Sequence, residues 1–399
     1  MDRNTTSEWI GDGRLVVCLT AVAAGTAATQ NAEMATPGTQ LTKATQNSNL
    51  DILRSLAVLA VFLCHLLQVL AGCKAGDHFA YGVNTVALGQ AGVVIFFVHT
   101  SLVLLQSLER TRTRLSGLPL ALYFYTRRLF RIYPLSICVI LAAVAFSIPP
   151  NPLGSTYHWG GTRWFWANIL LIQNLHKTDP ISSPLWSLPY EVQMYLVLPI
   201  IFLQMRLRKP GVRLTGIYVL SLVSSRLFPL LRFAPCFLGG AIAYRLLGVA
   251  RPRLHRWLWC PAVLGVVVMY VTRPDSTMSW GKDILASLAI GCLIPWFQEN
   301  RGVSGAISAQ LAKYSYGIYL CHLPVLWLAY RKLAIPGWQR PIWLASLMVA
   351  APLLCYHLVE HPLIQVGTRL ANTFPARLPG WHGFSRTVAD RKMVASPFG

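Results

Sequence analysis

Apolar positions along this chain gather into runs of roughly membrane length. They fall near 51–71, 86–106, 130–148, 188–205, 214–230, 233–248, 257–272, 284–298, 314–332 and 341–358. The pattern predicts an all-α fold, a polytopic membrane helix bundle of about ten transmembrane helices. Trp164 to Leu175 is an eleventh apolar stretch, and charge decides its status. If it crosses, the loop carrying Arg206, Arg208, Lys209 and Arg213 faces outward. If it is short and re-entrant, those four residues face the cytoplasm, and this is the arrangement expected.

The polar flanks divide the chain into three parts. Residues 1–48 are rich in Thr, Ala, Asn and Gln and poor in aromatics. Leu15 to Ala28 has the look of a signal-peptide core, but Asp2, Glu8 and Asp12 spoil the basic region that must precede one. A disordered or weakly structured cytoplasmic tail is therefore expected at 1–48, then a membrane domain over 49–365, then a basic cytoplasmic tail over 366–399. About 40 residues follow the last run, so no second globular domain is expected.

Composition sharpens this picture. Of 399 residues, 54% are hydrophobic and 12% charged, whereas soluble domains carry about 25% charge. Compact soluble enzymes, coiled coils and disordered chains are excluded. The 35 Lys and Arg against 14 Asp and Glu give a formal charge of +21. Most of these cations fall in alternate loops, including Arg110, Arg112, Arg114, Arg127 and Arg128, and again Arg251, Arg253 and Arg256. That asymmetry predicts an even number of spans with both termini cytoplasmic, in the inner (plasma) membrane. No zinc finger or phosphate-binding loop accompanies the charge, so no nucleic-acid partner is expected. The 9 cysteines are scattered without CxxC spacing and are read as reduced, small apolar residues.

Candidate chemistry sits inside these runs. Arg54 and His65 are 11 residues apart on one predicted helix, about three turns, and share a face. At about 1.5 Å per residue they are roughly 16 Å apart, which places Arg54 at the cytoplasmic mouth and His65 near the midplane. Ionisable groups at that depth are costly and mark function; the alternative is a histidine packed against a neighbouring carbonyl. His322 and His99 invite the same two readings. Arg128 and Arg131, spaced i, i+3, present two guanidinium forks to a phosphate-bearing ligand or simply anchor a helix end. Glu191 lies in the first turns of a run with Tyr195 at i+4, suited either to orienting a histidine or hydroxyl or to tying helices together through Arg. His357-Leu-Val-Glu360-His361 matches a zinc-peptidase pattern, but it lies where a run ends and Pro362 follows, so no metal is expected there.

Seven segments in order resemble the acyltransferase 3 family of bacterial membrane O-acyltransferases, over about residues 50–365. They are Arg54 to His65, Gly92-Val-Val-Ile-Phe-Phe97, Arg128 to Pro134, Trp186-Ser-Leu-Pro-Tyr-Glu191 with Tyr195, Phe237-Leu-Gly-Gly-Ala241, Ser315 to His322, and Glu360-His-Pro362. One departure stands at Val98-His99-Thr100-Ser101, where the family reads close to Val-Leu-Ser-Gly. The resemblance implies transfer of an acyl group, acetyl in the usual case, from cytoplasmic acyl-CoA to a hydroxyl of a surface glycan, lipid-linked sugar or other acceptor. It implies His65 and Glu191 as catalytic groups, Arg54, Arg128 and Arg131 at the donor, and Tyr195, Trp186 and His322 at the substrate. Acyl-CoA is then a donor substrate rather than a bound cofactor; carbohydrate or lipid-linked glycan and membrane lipids are the other partners. His65 takes the acceptor proton or carries the acyl group itself. A transporter or flippase for a glycan or acyl compound also uses midplane His, Glu and Arg, but the two halves of this chain lack matched interrupted helices. An inactive assembly subunit is the third reading.

Overall fold

The computed structural model describes residues 48–73, 78–151, 156–249, 252–272, 280–300, 303–333 and 335–374. The tail expected at 1–48, apart from Ser48, and most of that at 366–399 lie outside the described residues. Between its turns and loops the described chain is helical, with one two-stranded hairpin and an isolated parallel bridge between Leu254 and Phe297. Its elements are α1 (Ser48–Leu70), β1 (Phe79–Ala80), β2 (Val83–Asn84), α2 (Thr85–Arg112), α3 (Gly117–Ala145), α4 (Gly161–Ile169) and α5 (Gln173–His176). There follow α6 (Leu188–Gln204), α7 (Pro210–Leu227), α8 (Ala234–Leu247), α9 (Trp259–Thr272), α10 (Trp280–Leu293), α11 (Val303–Trp327), α12 (Arg340–Cys355) and α13 (His361–Ala371). β1 and β2 pair antiparallel, with Phe79 opposite Asn84.

Six helical segments are long and apolar enough to cross a membrane: 48–70, 85–112, 117–145, 183–204, 229–247 and 340–371. This falls short of the ten expected from apolar runs. The other four runs are helical, but α9 and α10 have 14 residues each. At about 1.5 Å per residue each reaches about 21 Å, below the roughly 30 Å of a hydrocarbon core. α7 and α11 carry more Ser, Gly and Tyr among their apolar residues. Trp164 to Leu175 is not one helix: α4 stops at Ile169, Leu171 turns back with φ 54°, and the short α5 follows.

α2 is the axis of the bundle, 78% buried over its most apolar window. Asn84 starts it by accepting a 3.0 Å hydrogen bond from Ala87 N–H, which satisfies one of the unpaired amides of a first turn. Without a hydrophobic drive between helices in lipid, close backbone approach does the packing. A Cβ on Gly92 would lie 2.6 Å from Ala57 O of α1, and one on Gly240 would sit 2.8 Å from Leu102 N and against Val98 O. The two glycine-bearing motifs therefore seat α1 and α8 on α2. α11 packs on the other side of α1, where Ser55 Oγ donates to Ser308 O at 3.0 Å. By contrast α12 turns Ile342, Trp343, Val349 and Leu354 outward. α13 packs along α3 and runs through the boundary expected at 365.

Candidate active site

Four helices around α2 bring the singled-out residues into two adjoining groups. In the first, His65 on α1 meets His322 on α11. His322 Nε2 lies 3.2 Å from His65 Nδ1, and the ring centroids are 5.0 Å apart. His65 Nδ1 is also 3.0 Å from Val61 O, and His322 Nδ1 is 2.8 Å from Tyr319 O. A carbonyl only accepts, so both Nδ1 atoms carry hydrogen. His322 Nε2 is then the acceptor for the His65 proton, and His65 Nε2 holds a lone pair.

The second group lines two small chambers. One, of about 70 Å³, is bounded by Arg54, His99, Arg128, Arg131, Glu191 and Tyr195, with Tyr316 also on its wall. The other, of about 50 Å³, shares Arg54, Thr100, Glu191 and Tyr316 with it and extends to Ser187 and Tyr319. Tyr319 is the residue whose carbonyl holds His322, so the second chamber reaches the turn of α11 that carries His322, while neither His322 nor His65 is on the wall of either chamber. Tyr195 OH donates to Glu191 Oε1 at 2.5 Å, one turn away on α6. Tyr319 OH is 2.8 Å from Ser187 Oγ and 2.9 Å from Pro184 O, which fixes α11 to the start of α6.

The two arginines of α3 have different surroundings. Arg131 Nη1 pairs with Glu360, which is 1% exposed, and its guanidinium lies 5.6 Å from the centre of the Tyr316 ring. Arg128 Nε and Arg54 Nε are buried without a hydrogen-bond partner among the described residues. Buried polar groups are almost always paired, so these two donors, on residues of the chamber wall, call for a polar partner such as water or a ligand. Pro134, in the same helix, lacks an amide, and nearby Ile132 O accepts from Tyr316 OH at 2.7 Å. Tyr316 thereby bridges α11 to α3 at the chamber wall.

Arg54, expected at the mouth, is instead in the interior, on both chambers. α2 continues past His99 to Arg112, so the ends of α2 and α3 lie beyond Arg54. Trp186 does not meet the chambers described here; it packs against Phe233 and Tyr190, with centroids 5.5 and 6.3 Å away. Glu360 of the zinc-like pattern turns inward to Arg131, while His357 Nε2 faces Tyr314 OH at 3.4 Å. Among the described residues no group of three or more His, Cys, Asp or Glu is placed to hold a metal ion. Tyr316, Tyr319 and Ser187 were not singled out by sequence. The i, i+3 pair of tyrosines preceding His322 was the available signal.

The protein named acyltransferase MdmB, from Streptomyces mycarofaciens, is 32% identical over 158 residues, covering 37% of this chain and 37% of that relative. The chain thus matches well under half the length of this curated relative. No solved structure matches. The model of the acyltransferase domain matches residues 47–360, from the first turn of α1 through Glu360. By that match over most of its length, the chain belongs to the acyltransferase 3 family.

Proposed function

We propose that the chain is a membrane O-acyltransferase that moves an acyl group, acetyl in the simplest case, from cytoplasmic acyl-CoA to a hydroxyl of a surface glycan, lipid-linked sugar or other acceptor. In this reaction the hydroxyl oxygen attacks the thioester carbon, a C–O bond forms, the C–S bond breaks, and the proton ends on the departing thiol. The single observation that carries the reading is the histidine pair. His65 Nε2, with its lone pair, accepts the hydroxyl proton. The imidazolium formed keeps its Nδ1–H on His322 Nε2 at 3.2 Å, which disperses the new charge. Glu191, bound to Tyr195, lines both chambers and orients the acceptor hydroxyl or a neighbouring sugar hydroxyl.

The donor side is the end where α2 meets α3. Arg128 offers an unpartnered guanidinium edge, and forked, charge-assisted bonds to phosphate are what that group makes best. Arg131 is held by Glu360, so it shapes the chamber that the thioester arm enters rather than supplying a free fork. This end faces the cytoplasm, because Arg110, Arg112 and Arg114 cluster on it. Arg206 joins it by pairing with Glu109 at 2.7 Å, which brings the 206–213 loop to the same side.

Membranes containing the wild-type chain, incubated with acetyl-CoA labelled in the acetyl group, transfer label to glycan or lipid. His65→Ala at equal abundance does not. Full transfer by that variant overturns the assignment.

A further inference from the structure

The two chambers share Arg54, Thr100, Glu191 and Tyr316, and beyond that common stretch their walls differ in kind. The first continues to ionisable residues, His99, Arg128, Arg131 and Tyr195, set among aliphatic ones. The second continues to Val93, Phe96, Phe97 and Leu188, joined only by hydroxyl-bearing residues. Those hydroxyls are already engaged: Ser187 Oγ lies 2.8 Å from Tyr319 OH, and Ser315 Oγ donates to Ala312 O at 2.8 Å. The far end of the second chamber therefore presents mainly carbon.

This apolar end is held in place from behind. Val93, Phe97 and Leu188 are buried. Phe97 stacks on Phe237 with centroids 4.3 Å apart and lies 5.4 Å from Phe233. Tyr319 is fixed through its hydroxyl, which is 2.9 Å from Pro184 O as well as on Ser187. Phe96 is half-buried and meets Tyr319 edge to face, with centroids 5.7 Å apart. Close-packed walls of this kind resist the insertion of extra methylenes.

Size then limits what the end can take. The second chamber measures about 50 Å³. One water needs about 10–15 Å³, so there is room for about four groups of that size. An acetyl group has three non-hydrogen atoms, a propionyl group four and a hexanoyl group seven.

We propose that the apolar end of the second chamber is the acyl pocket and that Phe96 sets its length limit, so that the donor carries an acyl group of two or three carbons. The proposal rests on the chain being an acyltransferase supplied by acyl-CoA. Phe96 is the determinant rather than Phe97, because the Phe97 ring is locked into the core by two aromatic neighbours, while the half-buried ring of Phe96 can be shortened without opening that stack.

The test uses membranes containing the full chain and CoA thioesters labelled in the acyl group: acetyl, propionyl and hexanoyl, each at the same low concentration. The reading is the ratio of initial rates of label transfer, which does not depend on protein abundance. The wild type is expected to use propionyl-CoA within about tenfold of acetyl-CoA, and hexanoyl-CoA about a hundredfold or more below it, since a single surplus methylene is worth about 10- to 200-fold. Phe96→Ala should raise the hexanoyl-to-acetyl ratio by about tenfold or more, with Phe96→Leu in between. A wild type that transfers hexanoyl as fast as acetyl overturns the pocket, leaves the acyltransferase reading standing and needs no variant to fold. Phe96→Ala and Phe96→Leu variants that transfer acetyl yet keep the wild-type ratio overturn the role of Phe96. If wild-type membranes transfer label from none of the three thioesters, the underlying reading falls and this proposal with it.

Discussion

His65 and His322 touch across the α1–α11 interface although 257 residues separate them, His322 Nε2 accepting from His65 Nδ1 at 3.2 Å. Each ring is pinned by a carbonyl of its own helix, Val61 O and Tyr319 O. The proton order of the pair is thereby set by acceptors that cannot donate. A relay with one free lone pair has the form of a base whose second nitrogen is buttressed, as in catalytic triads, with an imidazole in place of the carboxylate.

Removing the two members should have unequal effects. His65→Ala removes the proton acceptor, and kcat is expected to fall by about 10²- to 10⁴-fold. His322→Phe keeps the bulk but removes the acceptor for His65 Nδ1–H. It should lower kcat by about tenfold or more and leave the Kd for CoA unchanged. Transfer of labelled acetyl groups by membranes, normalised to protein abundance, reads both. A His322→Phe variant with wild-type kcat makes the contact mere packing.

The glycine motifs make a stability prediction with an internal control. Gly240→Val forces a branched side chain into Val98 O and Leu102 N, backbone atoms that cannot swing away. The α2–α8 seam should open and the protein fail to accumulate in membranes. Gly265→Ala, on α9 with no atom within 4 Å of the new Cβ, should be neutral or stabilising by about 0.5–1 kcal/mol. Thermal unfolding in detergent separates the two, and normal melting of Gly240→Val contradicts the packing argument.

Much of this architecture was readable in the chain, and the gaps have physical causes. The Arg54-to-His65 spacing announced one helical face because periodicity is local. The partner of His65 was not readable, since contact between α1 and α11 is a property of packing. Apolar runs alone do not fix helix length: the runs at 257–272 and 284–298 hold helices of 14 residues each, α9 and α10, shorter than the six segments long enough to cross. Glu360 drew attention as part of a zinc-like pattern when its partner is Arg131. Arg128 stood out by its i, i+3 spacing with Arg131, but that Arg110, Arg114 and Arg127 share one concave wall with it was not readable, because a concave wall has no signature in linear order.

The Arg206–Glu109 pair, 2.7 Å apart, ties the start of the 206–213 loop to the end of α2, so the two lie on one side of the bundle, which we propose is the cytoplasmic side. Single cysteines replacing Arg114 and Arg208, in a background without native cysteines, should behave alike. Both should stay unlabelled by an impermeant maleimide in intact cells and react in inverted vesicles. Labelling of only one in intact cells breaks the pair, and labelling of both there reverses the orientation.

Arg128 and Arg131 are the same residue type three positions apart, and the structure predicts that they fail differently. Arg131 is bound to a carboxylate that is 1% exposed. Removing one partner of a buried ion pair leaves the other uncompensated and costs about 3–5 kcal/mol. Glu360→Ala should therefore lower the melting temperature sharply, and adding Arg131→Met should recover most of the loss, because no stranded charge remains. Arg128 has no such partner, and its buried Nε is unsatisfied. Arg128→Lys keeps the charge and should leave stability nearly unchanged, yet it forfeits the planar fork that grips phosphate oxygens. We expect its Kd for CoA to rise by about tenfold, close to 1.4 kcal/mol. Melting curves and CoA binding on the same four preparations decide the matter. An Arg128→Lys variant that binds CoA normally but melts early would make Arg128 a structural residue like Arg131, and the phosphate contact would then have to come from other arginines at the ends of α2 and α3.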